Sequence, residues 1–354
     1  MVNGVPGPAN GYLLRLAEGS QRLLQAGKES EATIMDSDQS GVNTARDRPA
    51  NAVFQEAWWL DAVAPAQWDA VEVHQNGALQ AWMPYVSTRG PLGLKKCGMP
   101  ALTQTLGPWV APAPNLAPAR QLGRHHRLLT ELIEKLPDAD YFSQNFHFSA
   151  QNTLPFFWAG FETKVNFTYV LDDLADEDAL WSGLHRRVRR DIRKAQKRVV
   201  VEQTDDLAAF LRLNDLVFER QGQRAPYDHD FVTRLDAAAR ARDRRRIFLA
   251  TDADGHHHAA AYVVFNGDAA YYLMGGSDPA HRQSEAGSLV LWEAIRFARS
   301  VSARFDFEGS MMRAVEPVFR SFGARQQPYY NVSRSSRRLR VLMAGRDLLR
   351  ALRG

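Results

Sequence analysis

Apolar residues recur along this chain with two periods, and the switches between them mark its elements. In "WDAVEV" and "LQAWMPYVST" apolar and polar positions alternate on either side of Asn76-Gly77, which predicts a hairpin with a tight turn. Before it, "VFQEAWWLDAV" (53–63) is where ordered structure is expected to begin. Gly and Pro punctuate 89–118, which reads as loop with one short strand. A helix follows over 127–136 and stops at Pro137. In "DYFSQNFHFS" (140–149), Phe142, Phe146 and Phe148 alternate with Asn145 and His147, as on a strand.

The pattern then repeats with more helix. "VNFTYVL" (165–171) reads as a strand. Trp181, Leu184, Val188, Ile192, Ala195 and Val199 recur at spacings of three and four, one stripe of a single helix whose other faces carry Arg and Lys. Leu207, Phe210, Leu211, Val217 and Phe218 predict a second helix closed by Gln221-Gly222, and Phe231, Leu235 and Ala238 a third. "IFLAT", "AAAYVVF" and "AAYYLMGG" form a meander turned at Asp254-Gly255 and Asn266-Gly267. Next come a helix apolar almost all round (287–300), a short strand "FDFE" (305–308), a helix near "EPVFRSFG" and a last strand "QPYYNVSR".

Composition narrows the setting. A chain of 354 residues, 45% hydrophobic and 24% charged, suits a soluble protein of two domains with real cores. One cysteine, Cys97, excludes an intramolecular disulfide framework and fits a reducing, cytoplasmic location. No apolar run reaches the ~20 residues of a membrane-spanning helix, and no secretory signal is visible in the first 30 residues. Residues 1–50 are polar and aperiodic, so a disordered extension is expected, with Met35 an alternative start. The net charge of +4 is mild, but cations gather at 185–198, 240–246 and 334–354, which admits an anionic partner.

The candidate chemistry centres on Asp306 and Glu308. Alternation puts them on one face of a strand whose other face buries Phe305 and Phe307, so they face either water or a cleft. Either could be a base. Pairing with Arg304 or Arg325 is the plainer alternative. On the basic helix, Arg190, Arg193 and Lys194, with Arg186, Arg189 and Lys197, could hold phosphates, or be only a solvated face. His256, His257 and His258 beside a turn are split between faces, and no metal site is expected. Cys97 lacks a positioned base, and His125-His126 lacks nearby partners. The tail's Leu339, Leu342, Leu348, Leu349 and Leu352 could dock on the first domain, the favoured reading, or lie on a membrane surface.

The order of elements from Ile247 to Arg334 resembles the catalytic half of the GNAT acyltransferase fold. "RRDIRKAQK", "AYYLMGGSDPAHRQSEAGSLVLWEAIRFA", "FDFEGSM" and "FRSFGARQQPYY", with "FQEAWWLDAV" and "LTQTLGPW", resemble the FemAB-like branch of that superfamily over roughly residues 53–340. The resemblance implies an α/β protein with mixed sheets: two tandem GNAT-like domains facing a shared cleft. The N-terminal, acceptor-side domain would cover 51–164, the catalytic domain 165–335 and a basic amphipathic tail 336–354. Members of the wider group move acetyl from acetyl-CoA, or amino acids from aminoacyl-tRNA, usually onto an amine of a cell-wall or sugar precursor. The donor would then lie between "YYLMGG" and "FDFE", its carbonyl polarised by backbone N–H groups around Leu273, Met274 and Gly275. Gly275 and Gly276 would admit it closely. Its phosphates would meet Arg282, Gly287 and Ser288, although this loop keeps only one of the two glycines usual there. Of the two acids Glu308 is favoured as the base, because it lies nearest the strand end, where acceptors enter in GNAT proteins. Tyr329 and Tyr330 are candidate proton donors to the leaving group, and Gln104 and Trp109 would line the acceptor side. The implied activity is N-acylation by direct attack within a ternary complex, with acetyl-CoA or another acyl-CoA as donor and no metal. An aminoacyl-tRNA-dependent FemX-like transferase and a non-catalytic precursor-binding module are the alternatives.

Overall fold

The computed structural model describes residues 47–351 apart from 221, 310 and 314. The extension and the Met35 start fall on residues outside that set, except for 47–50. The described chain divides into two compact units, residues 165–329 and residues 47–164 with 330–351.

In the N-terminal unit, helix α1 (Ala57–Val63) precedes the hairpin of β1 (Trp68–Gln75) and β2 (Ala78–Arg89). Asn76 and Gly77 both have positive φ, +51° and +77°, as a type I′ turn requires. Two short strands, β3 (Lys95–Gly98) and β4 (Trp109–Val110), occupy the punctuated stretch where one was expected. Helix α2 (Pro118–Lys135) starts nine residues earlier than its apolar stripe. Pro118 supplies a preorganised first turn, and the polar residues before Leu128 remain in solvent. Strand β5 (Tyr141–Phe146) ends before Phe148, and the short α3 (Leu154–Trp158) follows it.

Gln144 is buried on the same face of β5 as Phe142 and Phe146. Its Nε2 donates to Pro84 O (2.8 Å) and its Oε1 accepts the Gly107 N–H (3.2 Å), while Gln55 Nε2 donates to Gly107 O (2.8 Å). Two buried amides thus satisfy the backbone at Gly107, a need that apolar periodicity does not reveal.

In the C-terminal unit, β6 (Glu162–Leu171) enters the sheet. The stripe of three-and-four spacing is two helices, α4 (Glu177–Gly183) and α5 (Arg186–Ala195), and its last member Val199 opens β7 (Val199–Thr204). Leu184 is extended (ψ 138°), and each helix has its own cap: Asp176 accepts from the N–H groups of Asp178 and Ala179, His185 from that of Arg187. The stripe nevertheless faces one core, so periodicity reported burial rather than continuity.

Helices α6 (Leu207–Glu219) and α7 (His229–Arg240) lead into the meander β8 (Arg245–Asp252), β9 (His257–Phe265) and β10 (Ala269–Ser277). On α7 the buried face is Val232, Leu235 and Ala239, rotated one residue from expectation. Helix α8 (Ala286–Ala298), β11 (Arg304–Asp306), α9 (Glu316–Ser321) and β12 (Arg325–Ser335) follow. The strand order is β12-β6-β11-β10-β9-β8-β7, antiparallel at each register given except the parallel β10–β11 pair. On β9, Ala259, Ala261, Val263 and Phe265 join the core under α5 and α8, while Tyr262 on the opposite face meets Phe210 of α6.

The second half of β12 (330–335) pairs with β5 in the N-terminal unit. Helix α10 (Arg337–Ala351) is tied to that unit at its start: Arg338 Nη2 donates to Leu92 O (3.0 Å) and Ser336 Oγ to Asp140 Oδ1 (3.0 Å). Val341, Leu342 and Met343 remain exposed, and the side chains of Leu348, Leu349 and Leu352 lie outside those described.

Candidate active site

Two adjacent strands of the C-terminal unit part company. β10 and β11 pair at Ala269↔Arg304, Ala270↔Phe305 and Tyr271↔Asp306. Beyond that point β10 runs on to Ser277 along β9, while β11 stays with β6, the Phe307 N–H donating to Tyr169 O at 3.0 Å. Just past the parting, β10 carries a bulge: the register steps from Tyr272↔Val263 to Met274↔Tyr262, leaving Leu273 as the extra residue without a partner on β9. Leu273 and Met274 bury their side chains.

The two acids differ. Asp306 closes β11 and is 2% exposed. Its Oδ1 accepts from Thr168 Oγ1 (2.5 Å) and from the Glu308 N–H (2.8 Å). Glu308 lies past the strand end, where alternation no longer applies: its φ is +57°, left-handed like Gly309 after it. A Cβ at Gly309 would sit 2.3 Å from Phe167 O and 2.5 Å from Thr168 Cα, so only glycine lets this turn press on β6. The residue Glu308 is half-buried, yet its Oε1 is sealed from solvent with no hydrogen-bond partner among the described residues. Burial first, and the Asp306 carboxylate second, push its carboxyl well above the usual range. The arginines considered as partners are engaged elsewhere: Arg304 with Asp268, and Arg325 with Asp172 (2.7 and 3.0 Å).

The glycines of β10 serve packing. A Cβ at Gly276 would meet Leu213 C and Cβ at 2.7 Å and Asn214 N at 2.8 Å, so this position admits α6. Asn214 Nδ2 donates to Gly275 O (2.7 Å) and its Oδ1 accepts from Tyr227 OH (3.0 Å). A Cβ at Gly275 would strike the Tyr272 hydroxyl. Close approach of a ligand is thus not what these two glycines are needed for.

At the α8 N-terminus, the Ala286 N–H donates to Ser284 Oγ (3.3 Å) and the Ser288 N–H to Glu285 O (3.1 Å). Glu285, in the left-handed conformation just before the helix, sets a carboxylate there that Lys194 Nζ meets at 3.5 Å. Arg282 and Gly287 are exposed, and a Cβ at Gly287 would meet nothing within 4 Å. Arg190 bonds Asp191 (3.1 and 3.3 Å) and Arg193 lies over the Trp181 ring at 5.5 Å; both keep exposed surface.

Tyr329 is buried on β12, with β6 between that strand and β11. Gln104 and Trp109 belong to the N-terminal unit, where Gln104 O accepts from Asn145 Nδ2 (3.0 Å) and Trp109 pairs with Trp82 across β4 and β2. Cys97 is buried beside Ser87 Oγ (3.6 Å), and burial pushes its thiol pKa up. His126, expected to lack partners, packs edge-on against Trp158, ring centroids 5.2 Å apart.

Three residues at the opening do not stand out from apolar periodicity. Tyr271 pairs with Asp306, and its hydroxyl pKa is raised well above the usual value, by burial first and the Asp306 charge next. Thr168 holds Asp306, and Asn214 holds Gly275. Asn214 did leave a signal: it is a polar residue within the apolar face of "FLRLNDLVF".

A family model described as acetyltransferase (GNAT) domain matches residues 182–314, which include β10, α8, β11 and Glu308. No curated protein matches the sequence. Among solved structures, FemX superposes with a TM-score of 0.58 at 14% identity, covering 80% of this chain and 93% of that one. The tandem GNAT protein from the clavulanic acid biosynthesis pathway gives 0.45 at 15% identity, over 77% and 84% of the two chains. The C-terminal DUF2156 domain of an Agrobacterium fabrum protein gives 0.47 at 12%, over 80% and 89%. Among the described residues, no helix is long and apolar enough to cross a membrane.

Proposed function

Starting from the GNAT acetyltransferase domain in residues 182–314, we propose that this N-acyltransferase holds its donor in the opening between β10 and β11. Acetyl-CoA is the first donor in this reading, and the acceptor is an amine of a cell-envelope or polysaccharide precursor. Glu308 is the base. The observation that carries the proposal is the contrast between the acids at the parted strands: Asp306 bonds Thr168 and the Glu308 N–H, whereas Glu308 Oε1 has no partner among the described residues and a raised proton affinity.

The step balances simply. The Glu308 carboxylate takes a proton from the acceptor's ammonium, and the neutral amine attacks the donor's carbonyl carbon. A C–N bond forms, the C–S bond breaks, one of the two remaining amine protons leaves with the thiolate as the thiol, and the other stays on the amide nitrogen. Backbone N–H groups at the bulge, Leu273 to Gly275, would receive the developing oxyanion; such donors are worth ~3–4 kcal/mol when preorganised. The raised pKa of Glu308 makes it a better proton acceptor than a solvated carboxylate.

A second reading has its own support. Glu285 sets negative charge at the α8 N-terminus, where a CoA pyrophosphate would bind, and α5 keeps Arg186, Arg187, Arg190 and Arg193 exposed, with Lys197 exposed just past its end. Both features suit an aminoacyl-tRNA donor, bound through α5, in which a C–O bond breaks instead. Thermal melting with acetyl-CoA, longer acyl-CoAs and charged tRNA separates the two. A donor at about 100 times its Kd adds ~2.7 kcal/mol. A rise with acyl-CoA supports the first reading and a salt-sensitive rise with charged tRNA alone the second. No response to any donor refutes both.

A further inference from the structure

Away from the opening, the turn between β8 and β9 and the segment before α8 bring one carboxylate and three imidazoles together. Asp252 ends β8 and is organised by its own turn: Oδ1 accepts the N–H groups of Asp254 (3.0 Å) and His256 (2.9 Å). Its Oδ2 faces His258 Nε2 at 3.0 Å and His256 Nδ1 at 3.3 Å. His257, on the opposite face, bonds Thr251 Oγ1 instead (3.0 Å). His281, from Pro279–Ser284, lays its ring flat on His258, centroids 4.1 Å apart and planes 14° apart, and also stacks on His256 at 5.3 Å.

We propose that Asp252, His258 and His281 form a binding site for a divalent late transition metal such as Zn2+, open to an exogenous ligand on one side. One potential ligand atom from each of the three lies within 4.8 Å of the others. Two are already at coordination spacing: ligands at about 2.0–2.2 Å in tetrahedral geometry stand roughly 3.3 Å apart, against 3.0 Å for Asp252 Oδ2 and His258 Nε2. His281, on a short 3-10 segment, closes the set by a small ring movement. Imidazole and carboxylate together suit zinc and its neighbours better than calcium or magnesium, which favour all-oxygen shells.

The cluster also borders a cavity. His258, 7% exposed, and His281 line a pocket of about 560 Å³ together with Arg198 and Arg282. Coordination at His258 Nε2 displaces the proton that this nitrogen shares with Asp252. A metal reached from that pocket gives the histidine pair a ligand, and the two arginines give the metal's open position a preference for anions. None of the three proposed ligands is assigned to the transfer chemistry, and the pocket shares only Arg282 with the candidate contacts for the donor's phosphates.

The test uses full-length protein without a histidine tag, stripped with chelator and titrated with Zn2+ calorimetrically and with Co2+ by visible absorption. One equivalent should bind with micromolar or tighter affinity, raise Tm, and give the visible bands of Co2+ bound by protein nitrogen. His281→Ala, which removes only a stacked ring, should weaken binding at least tenfold while Tm of the metal-free form stays within about 2 °C. His258→Gln should do the same. Binding to wild type weaker than about 100 µM, or binding that survives both substitutions, would overturn the proposal.

Discussion

Gly309→Ala tests how the fold delivers the candidate base. The added Cβ would lie 2.3 Å from Phe167 O, 2.5 Å from Thr168 Cα and 3.0 Å from Phe167 C, all backbone atoms of β6. Reaching an ordinary 3.4 Å separation requires the turn to move outward by about 1 Å. Overpacking of this kind costs about 1–3 kcal/mol and a left-handed alanine about 1–2 kcal/mol more. A total near 3 kcal/mol lowers Tm by about 6–12 °C in a domain of this size. The same movement strains the Thr168–Asp306 bond and displaces Glu308, the residue before the glycine. Misplacement by 1 Å can cost about 10²-fold in rate, so kcat should fall by that order in protein still folded at assay temperature. Differential scanning calorimetry and steady-state kinetics read the two effects, with Gly123→Ala, which meets nothing within 4 Å, as the control. A Gly309→Ala protein with unchanged Tm and unchanged kcat would refute the argument.

Glu308→Gln should lower kcat at least tenfold at saturating acceptor without unfolding the chain, and unchanged turnover would remove Glu308 from the mechanism. In wild type, kcat/KM should climb with pH through an inflection above the ordinary ~4.3 of a glutamate, because burial and Asp306 hold Glu308 protonated; the Gln variant should lack that inflection. A carboxyl whose folded pKa is raised stabilises the fold fully below its unfolded pKa and loses that contribution as pH rises through the folded pKa. Denaturant melts should therefore show Glu308→Gln gaining stability relative to wild type from acid to neutral and alkaline pH. Asn214→Ala removes the bonds to Gly275 O and Tyr227 OH and should cost about 2–4 kcal/mol in urea unfolding. If charged tRNA is the donor, Arg190→Ala with Arg193→Ala should flatten the salt dependence of its binding by about 0.7–0.9 log units per log salt for each phosphate that the variant no longer neutralises.

Much of the fold was legible because its physical signals are local. Asn76-Gly77 marks a hairpin, Phe305 and Phe307 mark one buried face, and the segment 287–300, apolar almost all round, forms most of α8. The errors arose where local patterning ends. The break at Leu184 depends on caps from Asp176 and His185 that a burial stripe does not encode, and Val199 kept the spacing while changing from helix to strand. Glu308 was placed on the strand by alternation, but the strand stops at Asp306, whose carboxylate captures the Glu308 N–H and turns the chain. The roles of Gly276 and Gly309 depend on which backbone crosses each position, α6 and β6 respectively. Alternation split His256, His257 and His258 between faces, but the pairing of His258 with Asp252 depends on the turn, and His281 arrives from another segment that only the folded chain stacks there.

The central claim is that an activated carbonyl enters the gap beyond Tyr271 and Asp306, and amide hydrogen exchange with and without a saturating donor measures it most directly. Bound donor should slow exchange at residues 272–276 and 306–309, with Leu273 among the protected amides. A donor that raises Tm yet leaves both segments exchanging at their free rates would contradict the account.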